Sequence, residues 1–312
     1  MASPPHGRPL RIAVTGSSGL IGSLLIPTLL ASGHSVTRLV RRPALRGEIR
    51  WDPDGAGVDP EALAEIEAVV HLAGENIARV WSMRRKRAIR ESRRKGTRVI
   101  AEAMARAQGP KILVSASAIG YYGDRGDQLL TEQSGPGDDF LTRVCVAWEA
   151  EAAPATEAGV RTVFTRTGIV LDAHGGALAR MLLPFKLGLG GKQGSGKQWM
   201  SWIAKVDEVG AIRHAIENRG VEGPVNCVAP DPVTNADFAR ALGRALGRPT
   251  VLPTPLLPLK LRFGAELVET LLLVSQRVQP AQLEATGYQF TCRSLDAAFE
   301  VILHAALPNE GD

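Results

Sequence analysis

Cysteine is scarce: the 312 residues hold only Cys145, Cys227 and Cys292, far apart and without metal-ligand spacing. Such usage excludes a disulfide framework and a cysteine metal motif, and it points to reduced thiols in a cytoplasmic protein. No run of about 18 apolar residues is free of charge, so no membrane association is expected. Residues 1–9 lack the apolar core of a signal peptide and are expected to form a loose tail. No internal repeat or low-complexity tract occurs. Acid is missing from one segment: from Arg79 to Arg98 ten Arg or Lys face a single acid, Glu91. The whole chain is only +5, so the remainder is slightly acidic. No nucleic-acid motif or interleaved aromatic platform accompanies the basic run. A solvated helix face is therefore expected, and nucleic acid is not.

What is present is an ordinary globular composition, 45% hydrophobic and 22% charged, in a chain long enough for two domains. Its organising stretch is Thr15-Gly16-Ser17-Ser18-Gly19-Leu20-Ile21-Gly22. An apolar strand, Leu10 to Val14, leads in, and a helix from Leu20 to Ser32 leads out, stopped by Gly33. Gly16 permits a tight turn, Gly19 leaves the backbone amides open to a pyrophosphate, and Gly22 lets the helix press on the sheet. The phosphates then lie at the positive helix N-terminus. A second strand, Ser35 to Val40, ends in Arg41-Arg42 with no acid. An acid there pairs with a ribose 2′-hydroxyl, whereas a guanidinium suits a 2′-phosphate. NADP(H) is thus the expected cofactor, with Arg41 the first choice over two plain surface charges.

A short strand is expected over Glu48–Trp51 and a buried one over Ala68–Leu72, where His71 reads as a core histidine. Ala73-Gly74 gives a dinucleotide room to pass the strand end. A basic helix is expected over Ser82–Ala107, with Ile89, Arg93, Gly96, Ile100, Ala103 and Ala107 facing inward. Arg93 is a charge on that stripe and needs a partner, either the cofactor or a structural salt bridge. Arg90, Arg94 and Lys95 are expected to face water. The strand Lys111–Ser115 runs into Ala116-Ser117-Ala118-Ile119-Gly120-Tyr121-Tyr122, which brings hydroxyls to the same crevice. Asp139–Gly159 reads as a helix and Arg161–Leu171 as a strand. Five strand–helix alternations predict an α/β Rossmann fold, a doubly wound parallel sheet.

A glycine-rich stretch over 175–196 follows, with a helix from Asp207 to before Gly220 and a strand over Val225–Val228. Thr234 caps a helix to Gly247, prolines 249, 253, 255 and 258 mark a linker, and helices are expected over Leu259–Val274 and Leu295–Leu307. The division is residues 1–172 with 205–230 for the Rossmann domain, and 173–204 with 231–312 for a smaller, discontinuous C-terminal substrate domain.

These residues resemble the extended short-chain dehydrogenase/reductases, the superfamily of nucleotide-sugar epimerases and dehydratases. The resemblance rests on the glycine loop, His71-Leu72-Ala73-Gly74, Ser115-Ala116-Ser117 with Tyr121, Arg166 to Leu171, and Asp207. More narrowly it is to an atypical branch with a C-terminal domain of unassigned function. That likeness is carried by Gly74-Glu75-Asn76-Ile77, Ala118 to Gly123, Trp148-Glu149-Ala150, Leu183 to Gly191 and Ala285-Thr286-Gly287-Tyr288. It implies NADP held by Val40, Arg41 and Arg93. The expected cofactor set is Gly16, Ser18, Gly19, Leu20, Ile21, Gly22, Val40, Arg41, Leu72, Ala73, Gly74, Arg93, Ser115 and Val170.

One departure is chemical. The superfamily uses Tyr-x-x-x-Lys in the helix after the fourth strand, where the lysine tunes the phenol. Here Cys145 and Glu149 stand at those positions, and the chain has no other such pair. Epimerase chemistry therefore does not follow from the resemblance. Ser117, Tyr121 and Tyr122 are the expected catalytic candidates. The leading reading is an NADP(H)-binding oxidoreductase- or epimerase-type enzyme on a small substrate; the other is a non-catalytic NADP(H)-binding redox sensor or partner-binding module. Glu149 should keep Cys145 a protonated, sluggish thiol.

Overall fold

The computed structural model describes residues 8–107 and 109–304. The chain begins β1 (Arg11–Thr15), α1 (Gly22–Ala31), β2 (Ser35–Val40), β3 (Glu48–Arg50), β4 (Ala68–His71), α2 (Met83–Arg106) and β5 (Ile112–Ala118). It continues through β6 (Leu129–Leu130), α3 (Phe140–Ala150), α4 (Ala153–Glu157), β7 (Arg161–Thr167), β8 (Ile169–Leu171) and α5 (Gly176–Lys186). Next come β9 (Trp199–Met200), β10 (Trp202–Ala204), α6 (Lys205–Glu217), β11 (Gly223–Cys227), β12 (Val233–Thr234) and α7 (Asn235–Leu246). The last are α8 (Leu256–Phe263), α9 (Ala265–Leu272), β13 (Arg277–Val278), α10 (Ala281–Ala285) and α11 (Leu295–His304).

Seven parallel strands make the main sheet in the order β11-β7-β5-β4-β1-β2-β3, a Rossmann arrangement. The direction of winding reverses between β1 and β4, so a crevice opens at their carboxyl ends. Side-chain alternation fills both faces. Ile12, Val14, Val70 and Val114 pack with Leu25 and Leu29 of α1 and Ile212 and Ile216 of α6. Ala13, Val69 and Leu113 face the other way, against Ile100 and Met104 of α2 and Ala155 of α4. Truncating a residue such as Ile100 costs about 2–5 kcal/mol, against ~1 kcal/mol or less for an exposed ion pair. Apolar burial, not its many arginines, thus docks α2. A third core joins Leu178, Leu182 and Phe185 of α5, Trp202, Phe238 and Leu242 of α7, and Phe299 of α11.

Three expected elements are broken, each for a local reason. The helix expected over 139–159 divides into α3 and α4, because Pro154 starts a new helix near its first position. The strand expected over 161–171 divides at Gly168, whose amide bonds Cys227 O while β8 turns away to pair with β10. The helix expected over 259–274 begins earlier and divides at Gly264, which has φ +91°. Pro258 lies inside α8 rather than in a linker. The glycine-rich stretch contains a helix, α5, despite Pro184. Residues 1–7 of the expected tail and 305–307 of the last helix lie outside the described residues.

Beneath the sheet, Glu208 of α6 is fully buried, hydrogen-bonded to Thr167 at 2.8 Å, with Oε2 unpartnered among the described residues. Burial pushes its carboxyl up from 4.5 to about 8. The folded chain therefore binds a proton there that the unfolded chain releases, and this group's contribution to stability declines as pH rises from 4.5 to 8. Glu208→Gln mimics the protonated form. Urea unfolding should show it more stable than the parent above that window, with the difference shrinking toward acid; a pH-independent difference would disprove the assignment.

Candidate functional site

The crevice floor is built by the loop after β1. Gly16 has φ +66°, and a Cβ there would lie 2.9 Å from the Leu72 carbonyl carbon and 3.0 Å from Ala73 N. Only glycine lets the loop run so close to the end of β4. A Cβ on Gly22 would collide with Gly16 O, so the helix start is pressed on the same turn. The amide of Gly19 bonds Gly16 O at 2.9 Å. The amides of Ser18, Leu20 and Ile21 have no backbone acceptor among the described residues. The N-terminus of α1 also has no side-chain cap and no acid in its first turn. Its positive end is left open for an anion.

Thr15 ties this loop to β4. Its Oγ1 accepts from the Leu72 and Ala73 amides at 3.1 and 3.3 Å. Its own proton therefore goes to His71 Nδ1, 2.8 Å away, which places the imidazole proton on Nε2. Burial lowers the pKa of His71 to about 4, so the ring stays neutral. His71 is a core residue, edge-on to Trp51, but its Nε2 finds no partner among the described residues.

Arg93 reaches the same strand end. A Cβ on Gly74 would lie 3.3 Å from its Cζ. Its Nη1 donates to Glu75 O and Ile89 O at 3.0 and 3.2 Å, and the guanidinium lies over the Trp148 ring at 4.8 Å. Burial lowers its pKa, and no carboxylate pairs with it among the described residues. A structural salt bridge is thus not its role here. Its neighbour Arg94 departs from expectation: it is not free in water but holds the buried Glu151 at 2.8 Å, together with Arg98 at 2.6 Å. Lys95 pairs with Asp54 at 2.7 Å, and Arg90 is exposed.

At the end of β2 the two arginines separate. Arg42 grips Glu48 through two 2.7 Å bonds, while Arg41 is exposed with no ion-pair partner among the described residues. Val40 is half-buried beside it. Val170 lies on β8, paired with Ile203. Ser115 is fully buried, with His71 and Phe164 as register neighbours, so it shows no surface to the crevice.

The other end of the crevice is an ionic cluster. Ser117 of β5 is in register with Arg166 of β7. Glu149 of α3 accepts from Ser117 Oγ at 2.7 Å and from Arg166 Nε and Nη2 at 2.9 and 2.8 Å. Arg166 is 4% exposed, and Glu149 holds its charge against the cost of burial, raising its pKa. Its guanidinium lies over the Tyr121 ring, 3.5 Å from the centroid. Tyr122 is fully buried; its hydroxyl donates to Asn226 Oδ1 at 2.7 Å and accepts from Arg166 at 3.1 Å. Burial pushes that phenol up to about 12. Tyr122 therefore supports Arg166 and does not open on the crevice, unlike its expected catalytic role. Tyr121 is half-buried, and its hydroxyl has no partner among the described residues. Burial, with Glu149 nearby, raises the Cys145 thiol to about 12, as expected of an inert cysteine. Arg166 entered the sequence reading only as part of the Arg166–Leu171 stretch, with no site role, and Asn226 was not singled out. The available signal was an arginine at a strand end, in line with Ser117.

The NAD-dependent epimerase/dehydratase family matches residues 12–227. The chain belongs to this family. A C-terminal domain of unknown function matches residues 254–302. An epimerase family protein of Mycobacterium bovis is 47% identical over 281 residues, spanning 89% of this chain and 93% of its own length. The crystal structure of the human epimerase family protein SDR39U1 with NADPH superposes with a TM-score of 0.86 at 38% identity, over 95% of this chain and 99% of that one. A nucleoside-diphosphate sugar epimerase of Corynebacterium glutamicum gives 0.81 at 40% identity over 96% of this chain; this chain spans 59% of that longer one.

Removing Glu149 strands a buried guanidinium. Glu149→Ala should cost about 3–5 kcal/mol in urea unfolding, and adding Arg166→Met should restore most of it. A single-variant cost below ~1 kcal/mol would mean that the pair does not hold this end of the crevice.

Proposed function

We propose that the protein is an NADP(H)-dependent oxidoreductase- or epimerase-type enzyme acting on a small hydroxyl-bearing substrate. The observation that carries the cofactor choice is the division of labour after β2. Glu48, the nearby acid, is consumed by Arg42, which leaves Arg41 for a 2′-phosphate. The human relative described with NADPH supports the same choice. The cradle fits a dinucleotide: the open amides of Ser18, Leu20 and Ile21 suit the pyrophosphate, and Arg93, a half-buried cation with no carboxylate partner among the described residues, lies against Gly74. Leu72, Ala73 and Val170 complete its walls. When bound, the nicotinamide gives or takes a hydride.

The chain's own residues do the rest. Ser117 spends its proton on Glu149, so its oxygen is free to accept from a substrate hydroxyl. Tyr121 is the phenol left to move a proton, since Tyr122 is enclosed and Cys145 is kept protonated. The second reading, a non-catalytic NADP(H) module, is favoured by one observation: an acid occupies the place of the dyad lysine and is itself locked to Arg166.

Calorimetric titration tests the proposal. NADPH should bind more tightly than NADH, and Arg41→Ala should lose about 1.5–3 kcal/mol toward NADPH alone. Equal affinities in the parent protein would sink the cofactor choice. Oxidation of NADPH with a carbonyl panel, compared between the parent and Tyr121→Phe, decides catalysis: turnover lost in the variant supports the enzyme, and no turnover with tight NADPH binding supports the module.

A further inference from the structure

α8 is unusual in this fold because none of its residues is buried. Leu257 and Leu261, one turn apart on one face, are 70% and 80% exposed. The segment before it continues the apolar surface, with Val251 85% exposed and Leu252 beside it. That segment is hydrogen-bonded to the loop that follows α5. Thr254 donates to Lys192 O at 2.8 Å and to Gly191 O at 2.9 Å, and a Cβ on Gly191 would collide with Leu252 O. Leu183, Leu187 and Leu189, at the end of α5 and just beyond it, are also exposed. Large apolar side chains gathered in this way mark a surface that meets something else.

Charge says what. The two segments that carry these residues, 173–206 and 238–265, contain no Asp or Glu at all. The first acids beyond them on this side, Glu266 and Glu269, are bound to Lys86 and Lys260. Lys186, Lys192, Arg248 and Arg262 are exposed and have no carboxylate partner among the described residues. The face is therefore apolar with a cationic rim. A second copy of the chain would set cations against cations. An anionic bilayer surface offers both halves of the match: headgroups for the rim and acyl boundary for the leucines. We propose that this face, formed by α8, the segment before it and the end of α5, docks reversibly on an anionic lipid surface. The expectation of no membrane association rests on spanning segments alone; a face lying in the plane of the interface needs none, and no helix among the described residues is able to cross a membrane.

The test is co-sedimentation of the full chain with vesicles of equal parts phosphatidylglycerol and phosphatidylcholine, against vesicles of phosphatidylcholine alone. Binding should favour the anionic vesicles and weaken as salt rises. Leu257→Glu/Leu261→Glu should reduce it by about tenfold or more, because both apolar burial and charge match are lost. Lys186→Glu/Arg262→Glu should reduce it as well, while Leu30→Glu, exposed on α1, should leave it unchanged. Circular dichroism and thermal melting check that each variant is folded. No binding, or binding indifferent to lipid charge and to the α8 substitutions, overturns the proposal. So does a concentration-dependent dimer, seen by analytical ultracentrifugation, that these substitutions abolish, since the face would then belong to a second copy.

Discussion

The buried pair of Glu149 and Arg166 organises the end of the crevice away from the glycine loop. Burying such a pair yields little net stability, because desolvation offsets most of the attraction. Its value here is positional. One carboxylate fixes the rotamer of Ser117 and both arms of the guanidinium. The guanidinium in turn fixes the Tyr121 ring beneath it and the Tyr122 hydroxyl beside it. Two strands, α3 and the turn at 119–122 thus meet through one ion pair.

The cofactor end depends on neutral chemistry instead. Thr15 spends one oxygen on two amides and one proton on a histidine, and this sets the height of the β4 end above the glycine loop. A charged imidazole could not accept that proton. Burial in an apolar setting beside Trp51 keeps the ring neutral.

Much of this was legible in the chain. The glycine loop, the order of strands and the span of α2 are local signals, since turn chemistry and periodicity act over a few residues. The inward stripe placed Arg93 correctly because helical geometry alone decides which positions share a face. The partners were not legible. Arg94 meets Glu151 from another helix, and Arg166 meets Glu149 only after α3 packs on β7. Tyr121 and Tyr122 are adjacent in sequence and touch edge to face, yet one is half-buried under Arg166 and the other is fully enclosed, a difference set by packing around the short helical turn at 119–122. The breaks at Pro154, Gly168 and Gly264 were visible as residues, but a strong surrounding pattern concealed them.

The break at Gly168 reaches further than its length suggests. It sends β8 out of the main sheet to pair with β10, and alternation along this ribbon assigns its faces to different cores. Ile203 packs with the Rossmann core, where Val170 also rests, while Leu171, Trp202 and Ala204 pack with α5 and α7. The ribbon is a party wall. A cut at residue 172 or 205 frees neither side, because each would lose half of the wall that keeps its core dry.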